Sequence, residues 1–235
     1  MSSTEQNQWK RVAAEAAANL VEDGMVVGLG TGSTAALFVE ALARRVAQQG
    51  LRVSGIPTSD ATSELARQLH VPLTTFAEHA QIDLTVDGAD QVEMGTLFLI
   101  KGLGGALLRE KIVAAASKRM IVVADETKIR ERLGLLCSVP VEVVQFGWQA
   151  TENKLRQIGA KTLLRLNSEQ KPYTTDSGNY IIDCAFGAME KPKEIAHHLD
   201  HVTGLVEHGL FLGFASMVLV AGRDGLRTLE RQTVS

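Results

Sequence analysis

The sequence predicts an α/β protein: a Rossmann-like, mostly parallel sheet flanked by helices, with a smaller inserted α+β unit of ferredoxin-like type. Three observations predict it. Short apolar runs alternate with segments whose apolar residues recur every three or four positions, the pattern of β-α-β units. Glycines or paired charges follow those runs, where a strand of such a sheet hands over to the next element. Beyond about Arg130 the alternation gives way to closely spaced strand-like runs, which predict a different local architecture.

Taken in order, residues from about Thr4 to Glu22 read as a helix, with Val12, Ala16 and Leu20 four apart and Gly24 closing it. Met25–Leu29 is a short buried strand, and Gly30-Thr-Gly-Ser-Thr34 turns into an Ala/Leu-rich helix ending near Gly50. Leu51–Ile56 is the next strand, and Ser59-Asp60 opens a helix from Ala61 to Leu69. Val71–Phe76 and Ile82–Val86 read as strands. Thr96–Ile100 reads as a buried strand that runs through a glycine turn into a helix from Ala106 to about Ser117. Met120–Ala124 completes the parallel series. Further on, Val139–Phe146, Lys161–Leu166 and the two arms of Tyr173–Asp183, turning at Ser177-Gly178, read as strands. Helices are expected near Thr151–Ile158 and Pro192–His201, and Met217–Ala221 as a strand that returns to the first sheet. The expected division is residues 1–130 plus 205–235 as the α/β domain that carries the chemistry, with 131–204 inserted into it.

Composition narrows the function classes. Hydrophobic content of 45% with 22% charged residues fits a soluble globular chain. A net charge of −3 offers no electrostatic footprint for nucleic acid, and no apolar run is long enough to cross a bilayer. The polar N-terminal stretch lacks the basic-then-apolar layout of a signal peptide. Cys137 and Cys184 have no CxxC spacing and are expected as reduced thiols, so the compartment expected is the cytoplasm and the partner a small molecule.

The candidate site residues gather at the carboxyl ends of the expected strands. Gly28–Thr34, Asp87-Gly-Ala-Asp90, Lys101–Gly105 and Asp125-Glu-Thr-Lys128 each follow an apolar run, and ligands of open α/β sheets bind at those ends. Gly30-Thr-Gly-Ser-Thr34 reads as an anion cradle, because main-chain N–H groups, hydroxyls and a helix N-terminus all favour phosphate. A dinucleotide fingerprint from Gly30 to Ala35 and simple helix capping are the alternatives. Lys101 and Glu110, on one strand–turn–helix, place a cation beside a candidate base. Asp87, Asp90 and Asp125 could hold Mg²⁺, accept sugar hydroxyls or cap turns, although Lys101 and Lys128 would compete with a metal. His197 and His201, four apart, have the spacing of a metal pair but no evident third ligand, and an exposed helix face is the favoured reading.

Gly28-Leu-Gly-Thr-Gly-Ser-Thr34, Thr58-Ser-Asp60, Val86-Asp-Gly-Ala-Asp90, Lys101-Gly-x-Gly-Gly…Arg109-Glu-Lys111, Ala124-Asp-x-x-Lys128 and Gly209–Gly213 together resemble A-type ribose-5-phosphate isomerase, nearly end to end. The resemblance implies cofactor-free interconversion of ribose 5-phosphate and ribulose 5-phosphate in the pentose phosphate pathway, by a homo-oligomer that is usually a dimer. No metal is expected, because Lys101 and Lys128 already supply the positive charge that the carboxylates and an enediolate call for. It implies Glu110 as the proton-transfer base, with Asp87, Asp90 and Lys101 around the reacting end of the sugar. The binding residues implied are Lys10, Thr31, Gly32, Ser33, Thr34, Asp87, Gly88, Ala89, Asp90, Lys101, Gly102, Leu103, Gly104 and Lys128. Leu103 stands where some members have another glycine, and would be strained if that position required φ > 0.

The chemistry agrees with this. An aldose–ketose isomerase opens the furanose, takes a proton from C2 and returns one to C1, which a single carboxylate above both carbons can do. A cation then stabilises the oxyanion, and Asp87 is the residue expected to assist ring opening. Rival readings are a sugar-phosphate-sensing regulator, an aminosugar-phosphate deaminase and an acyl-CoA transferase.

Overall fold

In the computed structural model, which describes residues 3–231, helix α1 (Ser3–Ala18) leads into β1 (Val26–Leu29), α2 (Ser33–Gln49), β2 (Ser54–Pro57) and α3 (Asp60–Gln68). Then come β3 (Leu84–Gly88), β4 (Gln91–Glu93), β5 (Leu99–Ile100), α4 (Leu107–Ala115), β6 (Met120–Asp125) and, after a single 3-10 turn, β7 (Ile129–Arg130). The chain continues through β8 (Val139–Val143), α5 (Trp148–Gln157), β9 (Lys161–Leu164), β10 (Tyr180–Ala185) and α6 (Pro192–Asp200). It ends with β11 (Leu205–His208), β12 (Leu210–Phe211), β13 (Ala215–Gly222) and β14 (Gly225–Glu230).

The largest sheet runs β14-β13-β6-β3-β1-β2, parallel throughout except for the β13–β14 hairpin at its edge. Buried on both faces, its inner strands are nearly unbroken apolar runs, as parallel strands must be. The chain passes from β1 outward to β2 and then back across to β3, so the strand order reverses between β1 and β3. A crevice at the carboxyl ends of those two strands follows from that reversal. The alanines Ala13, Ala14, Ala17 and Ala18 let α1 lie close on α2 and the sheet, around Phe38 and Leu42.

A second, antiparallel sheet runs β11-β8-β10-β9, and its core of Val139, Val141, Ile182 and Cys184 is shared with Leu155 of α5 and Leu199 of α6. Leu205–His208 belongs to this sheet, so the strand that rejoins the large one is β13. A third, small sheet, β12-β5-β4-β7, lies between the two. Alternation along β5 sends Leu99 into the core beside the large sheet and Ile100 into the core of the antiparallel one.

Several elements differ from the sequence reading. Val71–Phe76 is not a strand; Leu73 makes one bridge to Gly55, and Pro72 has no N–H to extend a ladder. Thr96–Ile100 contributes only Leu99–Ile100, and not to the parallel sheet. Gly95 and Leu97 take positive φ and fold β4 and β5 into an antiparallel hairpin, with Glu93 N donating to Phe98 O. An apolar run alone cannot distinguish a hairpin arm from a buried parallel strand. Of the expected Tyr173–Asp183 hairpin only β10 is a strand, with a lone bridge from Thr174 to Tyr180. Strand β14 was not expected, although Asp224-Gly225 is a turn signal.

Candidate active site

The turn after β1 and the turn after β3 face each other across the crevice. Main-chain packing there is close enough to demand glycine at position 30, where a Cβ would lie 2.3 Å from Asp87 Oδ1. Asp87 uses that room: its Oδ1 accepts hydrogen bonds from Thr31 N at 3.1 Å and Gly88 N at 2.7 Å. Its Oδ2 lies 2.9 Å from Lys101 Nζ as an ion pair.

Lys101 enters from β5, 2% exposed, and Nζ donates to Gly88 O at 2.7 Å and Glu110 Oε1 at 3.2 Å. Glu110 is 4% exposed on the first turn of α4. One buried ammonium therefore serves two buried carboxylates. Burial pushes the Glu110 carboxyl up, Lys101 opposes it, Asp87 and Asp90 add to it, and the balance is a pKa of about 8. Burial likewise raises Asp87 against the pull of Lys101. Burial alone would lower Lys101, but Asp87 and Glu110 outweigh it and hold the ammonium charged. Among the described residues, the buried side-chain polar atoms with no hydrogen-bond partner are Asp87 Oδ2 and Glu110 Oε2. Asp87 Oδ2 still has its ion pair with Lys101, whereas Glu110 Oε2 has neither bond nor ion pair among the described residues. A buried oxygen so placed costs about 1–3 kcal/mol and is the one open to a ligand.

These groups open on a pocket of about 100 Å³. Lys10, Thr31, Gly32, Ser33, Thr34, Gly88, Ala89, Asp90, Lys101, Gly102, Gly104, Glu110 and Lys128 line it. Of the binding residues expected, Asp87 and Leu103 are outside that lining. Asp87 lies beneath Lys101, and Leu103 is 43% exposed, with its main-chain N–H donating to Asp90 Oδ2 at 2.9 Å. Leu103 has no positive φ, so a side chain there carries no backbone strain. Lys10 reaches over from α1 to Ser33 Oγ at 3.0 Å, bringing a cation to the N-terminus of α2. A larger cleft of about 500 Å³ between α3 and α4 has a largely apolar lining and holds none of these residues except the neighbours of Glu110 on α4.

Other expectations resolve differently. Thr31 Oγ1 is engaged by the hydroxyls of Thr58 at 2.7 Å and Ser59 at 2.9 Å, so it braces the loop. Thr58, Ser59 and Thr62 form a buried hydroxyl cluster under it; the Thr58-Ser-Asp60 motif, a helix start and part of the family resemblance, is the sequence signal for it. Asp125 caps the turn after β6, accepting from Thr127 N at 3.0 Å and Gln6 Nε2 at 3.1 Å, which removes it from the Asp87–Asp90 group. His201 Nδ1 lies 2.7 Å from the His197 main-chain oxygen, a contact within the helix end.

The fold and this pocket define an α/β isomerase with its site at the carboxyl ends of parallel strands. The chain belongs to the ribose 5-phosphate isomerase A (phosphoriboisomerase A) family, whose model matches residues 54–225. It is 52% identical over 231 residues to ribose-5-phosphate isomerase A of Gluconobacter oxydans, covering 98% of this chain and 100% of that one. With the Gloeobacter violaceus enzyme of the same name it shares 54% identity over 220 residues, 94% of this chain and 95% of the relative. The solved ribose 5-phosphate isomerase A of Methanocaldococcus jannaschii superposes with a TM-score of 0.92 at 40% identity, covering 96% of this chain and all of that one. A D-ribose-5-phosphate isomerase solved in complex with phospho-erythronic acid superposes equally well, at 37% identity over 95% of this chain and 98% of the other.

Proposed function

We propose that this chain interconverts D-ribose 5-phosphate and D-ribulose 5-phosphate through an enediolate, as in the pentose phosphate pathway, with Glu110 as the proton carrier. The observation that carries this is Glu110 Oε2, a buried carboxylate oxygen without a partner in a pocket that also holds an ammonium. In the aldose-to-ketose direction, Glu110 takes the proton from C2, and the C2–H electron pair forms the C1–C2 double bond. The carbonyl pair moves onto O1, where Lys101 stabilises the charge. Glu110 then returns its proton to C1, while the O2 proton passes to O1, directly or by exchange with the medium, as C2 becomes the carbonyl.

Lys10, Ser33, Thr34 and Lys128 take the phosphate at the N-terminus of α2, where unpaired N–H groups and the helix dipole favour an anion. Asp87, ion-paired through Oδ2 with Lys101, is assigned to ring opening, and Asp90 with the 102–104 turn to the sugar hydroxyls. A relative's ability to bind phospho-erythronic acid supports a site that accepts a phosphate and an acid group together. An α/β part interrupted by an α+β part, with β11 grouped by its pairing with the latter and the boundary of the expected 131–204 insert moved past His208, a homodimer, and a cytoplasmic location complete the reading, and light scattering in solution tests the dimer. Neither metal nor cofactor has a step to perform, so turnover should survive exhaustive EDTA treatment.

Incubation with ribose 5-phosphate in D₂O, followed by proton NMR, is the decisive test. Conversion with solvent deuterium appearing at the transferred position is expected; unchanged sugar with an intact C2 proton would refute the proposal.

A further inference from the structure

The turn from Lys101 to Gly105 joins the buried ammonium to the helix that carries Glu110, so its placement sets the distance between them. Side chains from the antiparallel region hold that turn. Arg165, directly after β9, donates from Nη1 to the main-chain oxygens of Gly102 at 3.2 Å and Leu103 at 2.9 Å. Its Nε donates to Asp183 Oδ2 at 2.9 Å and its Nη2 to Asp183 Oδ1, so one face of the fork is locked on a carboxylate of β10. The guanidinium carbon stands 6.0 Å from the ring centre of Tyr173. The Tyr173 ring in turn fills the space beside Gly105, where an added Cβ would lie 2.2 Å from its Oη.

The turn is thus tied at two points. Asp90 holds it on the pocket side through Leu103 N, and Arg165 holds it on the opposite side through two carbonyls. Asp183 already satisfies an arginine locally; the reach of Nη1 across to another sheet's turn adds nothing to the pairing of β9 and β10. A planar fork can make both sets of bonds at once, which an ammonium on a flexible stem cannot.

We propose that Arg165 is a positioning residue for the isomerisation. By holding the Gly102 and Leu103 carbonyls it fixes the turn whose two ends present Lys101 and Glu110 to the reacting carbons. The inference rests on Glu110 as the base. It assigns the antiparallel sheet a part in turnover without contact to the sugar. The phosphate cradle lies on α1, α2, the turn after β1 and the 3-10 turn after β6, whereas the hydrogen bonds of Arg165 go to Asp183, Gly102 and Leu103.

The test uses two variants: Arg165→Lys, which keeps a cation for Asp183 but loses the fork, and Arg165→Met combined with Asp183→Asn, which leaves neither charge buried alone. Melting curves establish that each is folded. In both, kcat should fall roughly ten- to a hundredfold, the cost of a misplacement of about 1 Å, and by more than any rise in KM for ribose 5-phosphate that the displaced turn brings. The acid limb of kcat/KM should also move to higher pH, because a Glu110 held less closely to Lys101 loses the charge that favours its ionised form. Unchanged kcat and acid limb in a variant, even one that melts early, overturn the proposal. So does a loss confined to KM. Glu110→Gln assayed alongside separates the two readings. An inactive Glu110→Gln beside fully active Arg165 variants removes the positioning role alone, whereas an active Glu110→Gln removes the base on which it rests.

Discussion

Lys101 Nζ lies 3.2 Å from Glu110 Oε1, two side chains nine positions apart that meet in the interior because a glycine turn folds β5 back toward α4. Asp87 competes for the same ammonium from the other side. Two carboxylates around one cation leave the cluster one negative charge in excess, and a proton on Glu110 relieves it. The group poised to release and accept a proton near neutral pH is therefore the one whose second oxygen has no partner.

Glu110→Gln keeps the shape of the side chain and removes its basicity. Turnover should fall by about 10²–10⁴-fold, the usual contribution of a general base, while the dissociation constant for ribose 5-phosphate stays near the parent value. Deuterium exchange at C2 should disappear with it. Retained exchange in this variant would transfer the first step to Asp87.

The pH dependence has a definite sign. With the Glu110 pKa at about 8, kcat/KM should rise close to tenfold per pH unit below that value and level off above it. Stability should move the opposite way. Between the ordinary carboxylate range and pH 8 the folded chain binds more protons at Glu110 than the unfolded chain, so folding weakens as pH rises through that window. Glu110→Gln lacks this cost, and its stability should gain on the parent's from pH 5 to pH 8, by at most about 1.4 kcal/mol per pH unit, with its melting temperature rising relative to the parent's accordingly. Parallel melting curves at fixed ionic strength measure it; a constant gap between the two proteins would contradict a raised pKa.

Thr34→Val tests the phosphate cradle. A hydrogen bond to a charged group contributes about 1.5–3 kcal/mol, so the dissociation constant for ribose 5-phosphate should rise about tenfold or more. Binding of unphosphorylated ribose should change much less. Equal losses for both sugars, measured by calorimetry, would make the loop structural.

Gly30→Ala should damage the site through packing alone. Its Cβ would sit 2.3 Å from Asp87 Oδ1 and 2.6 Å from Asp87 Cα, so main chain must move and the Asp87–Lys101 pair with it. Overpacking of this kind costs about 1–3 kcal/mol of stability, and turnover should fall further than that loss explains. A denaturant midpoint and a kcat both at parent values would show that the strand end is plastic.

Much of this arrangement was legible in local sequence. The glycine-rich turn after β1 and the paired aspartates after β3 announced a pocket, because apolar runs that end in such residues are strand ends of a parallel sheet. Gly209–Gly213 and the Lys101–Lys111 stretch were recognisable as motifs. What was misread were features that depend on a partner distant in sequence. Thr96–Ile100 looked like a parallel strand and proved to be one arm of a hairpin in a separate sheet. Asp125 looked like a neighbour of Asp87 and proved to be a turn cap.

The sequence by itself determined the alternation of strands and helices, the site residues at the strand ends, and the types of chemistry they could perform. Those follow from local periodicity, from where glycine is needed, and from the side chains themselves. Only the tertiary structure decided that Lys101 is shared between Asp87 and Glu110, that the Thr31 hydroxyl is turned to bracing, and that Arg165, more than sixty positions from the turn, holds it. Burial and charge competition arise when distant segments exclude water from one another, and no pattern within a single segment encodes that.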